Sequence, residues 1–138
     1  MLVVRQPRNP MNILIEGAVA MLFAALVLAW VATFAKLVPL QPVQTRVKDY
    51  GALISAHIDF LLISLLCMAL YGLRIPLAPA ACWLIVTGGF TNPGLFLLRA
   101  FHLGTTASWY RTAYRLLSFG TATIGFGWAG CSILWAAF

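Results

Sequence analysis

Residues 51–73 read GALISAHIDFLLISLLCMALYGL, a run of 23 residues whose only acid is Asp59 and which contains no Lys, Arg or Pro. A helix needs about 20 apolar residues to cross the hydrocarbon of a bilayer. This stretch has that length. It is too long and too uniformly apolar for one helix of a small soluble core. Pro76 and Pro79, with Arg74, close it on one side. On the other side lies a polar stretch with Pro39, Pro42, Arg46, Lys48 and Asp49.

Three further runs of the same kind flank it. The first spans about 12–35, with Asn12 placed to cap it and only Glu16 interrupting its apolar character. The third spans about 80–101 and carries Thr91, Asn92 and Pro93 in its second half. The fourth spans about 113–137 and is rich in Gly, Ser and Thr, small residues that let helices approach closely in lipid. Four such segments and their connections consume the 138 residues. The expected fold is all-α, a single membrane-embedded four-helix transmembrane bundle over 1–138.

Composition agrees. Hydrophobic residues make up 62% of the chain and charged residues 9%, against about a quarter charged in soluble domains. The lipid bilayer is the expected partner, and no soluble catalytic module remains. The net charge of +6 is scattered through the loops, which suits headgroup anchoring and not nucleic-acid binding. The first apolar run exceeds a signal-peptide core and has no small-residue cleavage pattern, so it reads as a retained helix. Cys67, Cys82 and Cys131 form no CxxC pair and read as small packing residues.

Four spans place both termini on one side. Lys36, Arg46, Lys48, Arg99, Arg111 and Arg115 fall on the opposite side, against Arg5, Arg8 and Arg74 on the terminal side. Six cations against three predict that the two longer loops face the cytoplasm of a cell's inner membrane. Trp30, Trp83, Trp109, Tyr110, Trp128 and Trp135 mostly fall near span ends, where aromatic belts form.

Polar groups inside a bilayer are costly and point to function by default. They are Glu16, His57, Asp59, Asn92, Arg99 and His102. His57 shares a helix face with Ile54, Leu61 and Ser64. A neutral imidazole there can ligate a metal or haem iron, or hydrogen-bond a neighbouring helix. Asp59 lies about 200° round the helix from His57, so the two do not aim at one target. Because spans two and three run antiparallel, Asp59 is expected to pair with Arg99; a proton relay is its alternative role. Asn92 satisfies a carbonyl freed by Pro93 or binds a ligand. Glu16 suits a helix N-terminus, and His102 suits the membrane interface.

The stretch SAHIDFLLISLLCMALYGL (55–73), followed by GGFTNPGLFLLRAF (88–101), resembles the paired signature of the styrene oxide isomerase and hydroxylaminobenzene mutase superfamily. Those proteins are similar in size, with an Ala-His pair opening the second helix and an Asn-containing motif in the third. The resemblance covers about residues 50–103. It implies a homotrimer holding haem b (ferric) between subunits, with His57 as the axial ligand and hence the metal-binding residue. Asn92 matches the third-helix asparagine and Asp59 an acidic position of the mutase branch, which marks both as catalytic candidates.

The implied reaction is an intramolecular isomerisation of a small apolar oxygen-containing substrate, with ferric iron as Lewis acid and no external redox partner. Two polar positions of the family are replaced, by Ile63 and Phe96. These replacements leave epoxide-to-carbonyl and hydroxylamine mutase chemistry both open. A non-catalytic haem-binding anchor subunit would share His57. A small multidrug-type transporter would rely on Glu16, which lies far from the midplane that transport favours.

Overall fold

The computed structural model describes residues 10–38, 40–102 and 108–138. The N-terminal polar stretch with Arg5 and Arg8, Pro39 in the first loop, and the middle of the loop expected over 102–111 lie outside the described residues. The described residues form five helices: α1 (Asn12–Lys36), α2 (Gln41–Gln44), α3 (Tyr50–Gly72), α4 (Pro79–Ala100) and α5 (Ser108–Ala137). All but α2 are long and apolar enough to cross a membrane. The protein is an all-α multi-pass membrane bundle.

The first three spans match their expected bounds to within a residue or so. The fourth span, α5, starts at Ser108, earlier than the expected 113. Trp109 and Tyr110, expected before the span, stack on each other at 3.6 Å between ring centroids within the helix. Amphipathic rings at the interface let a helix run past the hydrocarbon while its backbone stays hydrogen-bonded. Pro93 does not interrupt α4, which is continuous through it.

Helices α1 and α3 pack as an antiparallel coiled-coil pair. Besides Gly17, the buried residues of α1 and its cap are the apolar side chains Met11, Leu14, Ala18, Met21, Ala25, Leu28 and Ala32; these side chains set the seam. They alternate three and four residues apart, the spacing of a heptad seam. Leu53, Ala56, Phe60, Ile63 and Cys67 repeat that alternation on α3. Lipid tails are as apolar as Leu, so close packing and interhelical hydrogen bonds hold such a seam. Alanine at every seventh position of α1 keeps the backbones close. Ser64 Oγ donates to the Ala18 carbonyl at 2.8 Å, and His57 Nδ1 lies 2.8 Å from the Ala25 carbonyl. Donors seven residues apart on α3 thus meet acceptors seven residues apart on α1.

Helix α4 touches α1, α3 and α5, whereas α5 packs on α4 alone among the described helices. The α4/α5 seam is made by glycine. A Cβ on Gly88 would stand 2.8 Å from the Ala122 backbone, and one on Gly125 would stand 2.8 Å from the Ile85 nitrogen. The outer surface carries Phe23, Leu26, Val27, Leu62, Leu65 and Leu66, all exposed, as a lipid-facing surface should.

The two ends of α3 and α4 are tied outside the seam. Asp49 Oδ1 accepts from the Ala52 backbone N–H at 2.9 Å and so caps α3. The N–H groups of Lys48 and Asp49 both donate to the Ala100 carbonyl, one of the acceptors that a helix C-terminus leaves unsatisfied.

Candidate functional site

His57 lies in the second turn of α3 and is half-buried. A carbonyl can only accept, so the contact with Ala25 places the proton on Nδ1. In the neutral ring the lone pair then sits on Nε2, which makes no hydrogen bond among the described residues. A histidine that donates through one nitrogen to a backbone carbonyl and offers the other as a ligand is the usual arrangement at a metal. Among the described residues no three His, Cys, Asp or Glu side chains gather as a metal site. A group held at this place would draw one imidazole from the described residues. That fits a haem, whose porphyrin supplies the equatorial ligands, better than a bare ion.

Asp59 faces the other way, as the helical spacing requires. Its partner is not Arg99. Asn92 Nδ2 donates to Asp59 Oδ2 at 2.6 Å, and Arg99 Nε donates to Asp49 Oδ2, also at 2.6 Å. The expected Asp59–Arg99 pair is thereby corrected, and the reason is axial distance. Arg99 is in the last turn of α4, level with Asp49, the N-cap of α3. Asp59 lies ten residues further along α3, about 15 Å deeper. Asn92, two turns back from Arg99, reaches that depth. Arg99 is 74% exposed, and its charge is met by Asp49 at the end of the span.

The Asp49 carboxyl is held below its ordinary range, first by the Ala52 N–H and then by Arg99, with partial burial opposing. One carboxylate thus caps α3 and binds the α4 terminus. A loop assignment for Asp49 missed this. The signal available was an Asp directly before an apolar helical run, the usual N-cap pattern.

Asn92 satisfies no carbonyl freed by Pro93. Its Nδ2 is committed to Asp59, and its Oδ1 is buried with no partner. The neighbouring residue is braced from α5, where Tyr114 Oη donates to the Thr91 carbonyl at 3.1 Å. A Cβ on Gly94 would stand 3.1 Å from that hydroxyl, so Gly94 helps make room for Tyr114. Ser118, whose hydroxyl is buried and unpartnered, read in the sequence only as one of the small packing residues of the fourth span, and Tyr114 did not stand out. A lone Tyr or Ser in an apolar run carries no pattern of its own.

The remaining candidates stay apart from this cluster. Glu16 is exposed and lies beyond the first turn of α1, which contains no acid, so it caps nothing. Asn12 does not cap α1 either: Met11 occupies that position and no side chain bonds there. His102 is exposed, at the left-handed residue (φ 51°) just after α4. Cys67 and Cys82 are buried and free, as expected of packing residues, but Cys131 is exposed.

The fold and site define the class: a multi-pass membrane protein with a single half-buried histidine on one side of α3 and an Asp–Asn pair on the other. No known family model, no curated protein and no solved structure matches the chain. The superfamily resemblance therefore rests on the motifs around His57 and Asn92.

Proposed function

We propose that this protein is a membrane-embedded, haem b-dependent isomerase. It rearranges a small apolar oxygen-containing compound inside the bilayer of a cell's inner membrane. The observation that carries this reading is the His57 Nδ1–Ala25 carbonyl contact. It holds the imidazole on a packed helix seam and leaves the Nε2 lone pair for iron. The motif resemblance supplies the rest: assembly as a homotrimer and the choice of reaction.

Held by His57, a ferric haem would supply Lewis-acid chemistry without net electron transfer. The chain's own groups hold and orient. The α1 carbonyl fixes the His57 tautomer and ring direction. The Asn92 side chain is fixed by Asp59 on α3 and presents its amide oxygen within the bundle. Asp59 holds that asparagine and is the one carboxylate deep enough in the spans to exchange a proton there. An apolar substrate reaches such a site from the lipid, which suits a chain built almost wholly of spanning helices.

The test is spectroscopic first. Protein purified in detergent from haem-replete cells is expected to show a Soret band. His57→Ala is expected to lose most of it, and His102→Ala to keep it. The ferric protein, incubated anaerobically without reductant, is expected to convert an aryl epoxide or an arylhydroxylamine into a product of unchanged mass. A colourless, monodisperse wild type sinks the proposal. A six-coordinate bis-histidine spectrum with no isomerised product would instead favour an electron-transfer or anchor role.

A further inference from the structure

Five hydroxyls of the spanning helices share one habit, and the buried Ser118 does not follow it. Thr33, Ser55, Thr91, Thr121 and Ser132 each donate to the carbonyl four residues back. This is the usual way a hydroxyl is satisfied in a helix without water. Ser64 instead crosses to α1, where it bonds Ala18. Ser118 does neither. It is 2% exposed, and its Oγ has no partner. Since α5 meets only α4 among the described helices, Ser118 is buried against α4.

The seam contacts fix what lies across from it. Gly88 meets Ala122 and Gly125 meets Ile85, so one antiparallel register serves both: each step along α4 is a step back along α5. Four residues on from Gly88 is Asn92. Four residues back from Ala122 is Ser118. The described residues contain two buried side-chain polar atoms without a partner, Asn92 Oδ1 and Ser118 Oγ, and they occupy the same level of the same seam. Asn92 lies well inside its helix, the fourteenth of the 22 residues of α4. Bulk water is excluded at such depth, so each group left unpaired there bears the cost of its lost hydration.

We infer that Asn92 and Ser118 form a paired acceptor and donor that binds the hydroxyl group of a small, otherwise apolar molecule entering from the bilayer. An amide oxygen can only accept, and a serine hydroxyl can donate. One group that does both in return is an O–H, which donates to Asn92 Oδ1 and accepts from Ser118 Oγ. An ether or epoxide oxygen has no proton and leaves Asn92 unsatisfied. Asp59 holds the amide in the required orientation, because its carboxylate takes the Nδ2 side. The inference stands apart from haem binding, since no step in it uses His57.

The probes are 4-fluorophenol and 4-fluoroanisole, which differ in the hydroxyl proton. Their fluorine spectra are followed in nanodiscs holding the wild type, Ser118→Ala or His57→Ala, and in empty nanodiscs. Expected is a saturable, protein-dependent shift for 4-fluorophenol and none for 4-fluoroanisole. Ser118→Ala, a small change that leaves the seam packed, is expected to weaken 4-fluorophenol about tenfold, the effect of one lost hydrogen bond. His57→Ala is expected to bind it as the wild type does, so that loss of the Soret band and loss of this site are read separately. Equal saturable shifts for both probes, wild-type affinity in Ser118→Ala, or no saturable shift at all (a bridging water only) would each overturn the inference.

Discussion

Asn92 Nδ2 donates to Asp59 Oδ2 at 2.6 Å, which joins α4 to α3 within the spans, while the same residue's Oδ1 remains buried and unpartnered. Asn92 is thus held by one end of its amide and open at the other. A residue fixed in that way is oriented before any ligand arrives, and orienting it costs the ligand little.

If that contact is the working partnership of Asp59, double-mutant cycles will show it. Asp59→Ala with Asn92→Ala is expected to give a coupling of about 0.5–3 kcal/mol, as residues in direct contact do. Asp59→Ala with Arg99→Ala is expected to be additive within about 0.5 kcal/mol. The measurement is reversible unfolding in mixed detergent micelles. Coupling to Arg99 and none to Asn92 would contradict the structure.

The α4/α5 seam makes a second, geometric prediction. Gly88→Val and Gly125→Val each drive a side chain into the facing backbone. Each is expected to destabilise the protein by about 1–3 kcal/mol through overpacking. Gly127, which has no atom within 4 Å of an added Cβ, is the control: Gly127→Val is expected to change little. The readout is the same unfolding transition, with loss of the α5 contacts reported by Trp128 fluorescence. A Gly88→Val protein as stable as the wild type would show that the helices do not meet there.

Asp49 sets a pH dependence whose sign follows from its partners. Its carboxyl is held below the ordinary value of 3.8 by the Ala52 N–H and Arg99. The carboxylate therefore stabilises the folded state above about pH 4, and that contribution fades as pH falls through the lowered value. Asp49→Asn keeps a capping oxygen but not the charge, so it mimics the protonated form. Melting temperatures of the wild type and Asp49→Asn are expected to differ at neutral pH and to converge in acid. A gap that widens on acidification would reverse the sign and refute the assignment.

Much of this architecture was written in the chain, because the deciding properties are local. Hydrophobic length is local, and it yielded four spans with bounds that α1, α3 and α4 match closely. Helical periodicity is local, and it separated His57 from Asp59 and put Ser64 on the His57 face. In the structure those two faces meet α1 and α4. The N-terminus of α5 was read too late because aromatic residues at an interface look alike in a helix and in a loop. What tertiary structure alone decided was axial register. Sliding two antiparallel helices past each other by a heptad keeps the same faces together and changes every partner. The sequence could therefore bring Asp59 towards α4 without choosing between Asn92 and Arg99. The close approach of Gly88 to Ala122 and of Gly125 to Ile85 sets α5 against α4. The Lys48 and Asp49 amides on the Ala100 carbonyl set the level of α3. Those contacts give Arg99 to Asp49 at the membrane edge, Asn92 to Asp59 in the interior, and leave Ser118 facing α4 with its hydroxyl unused.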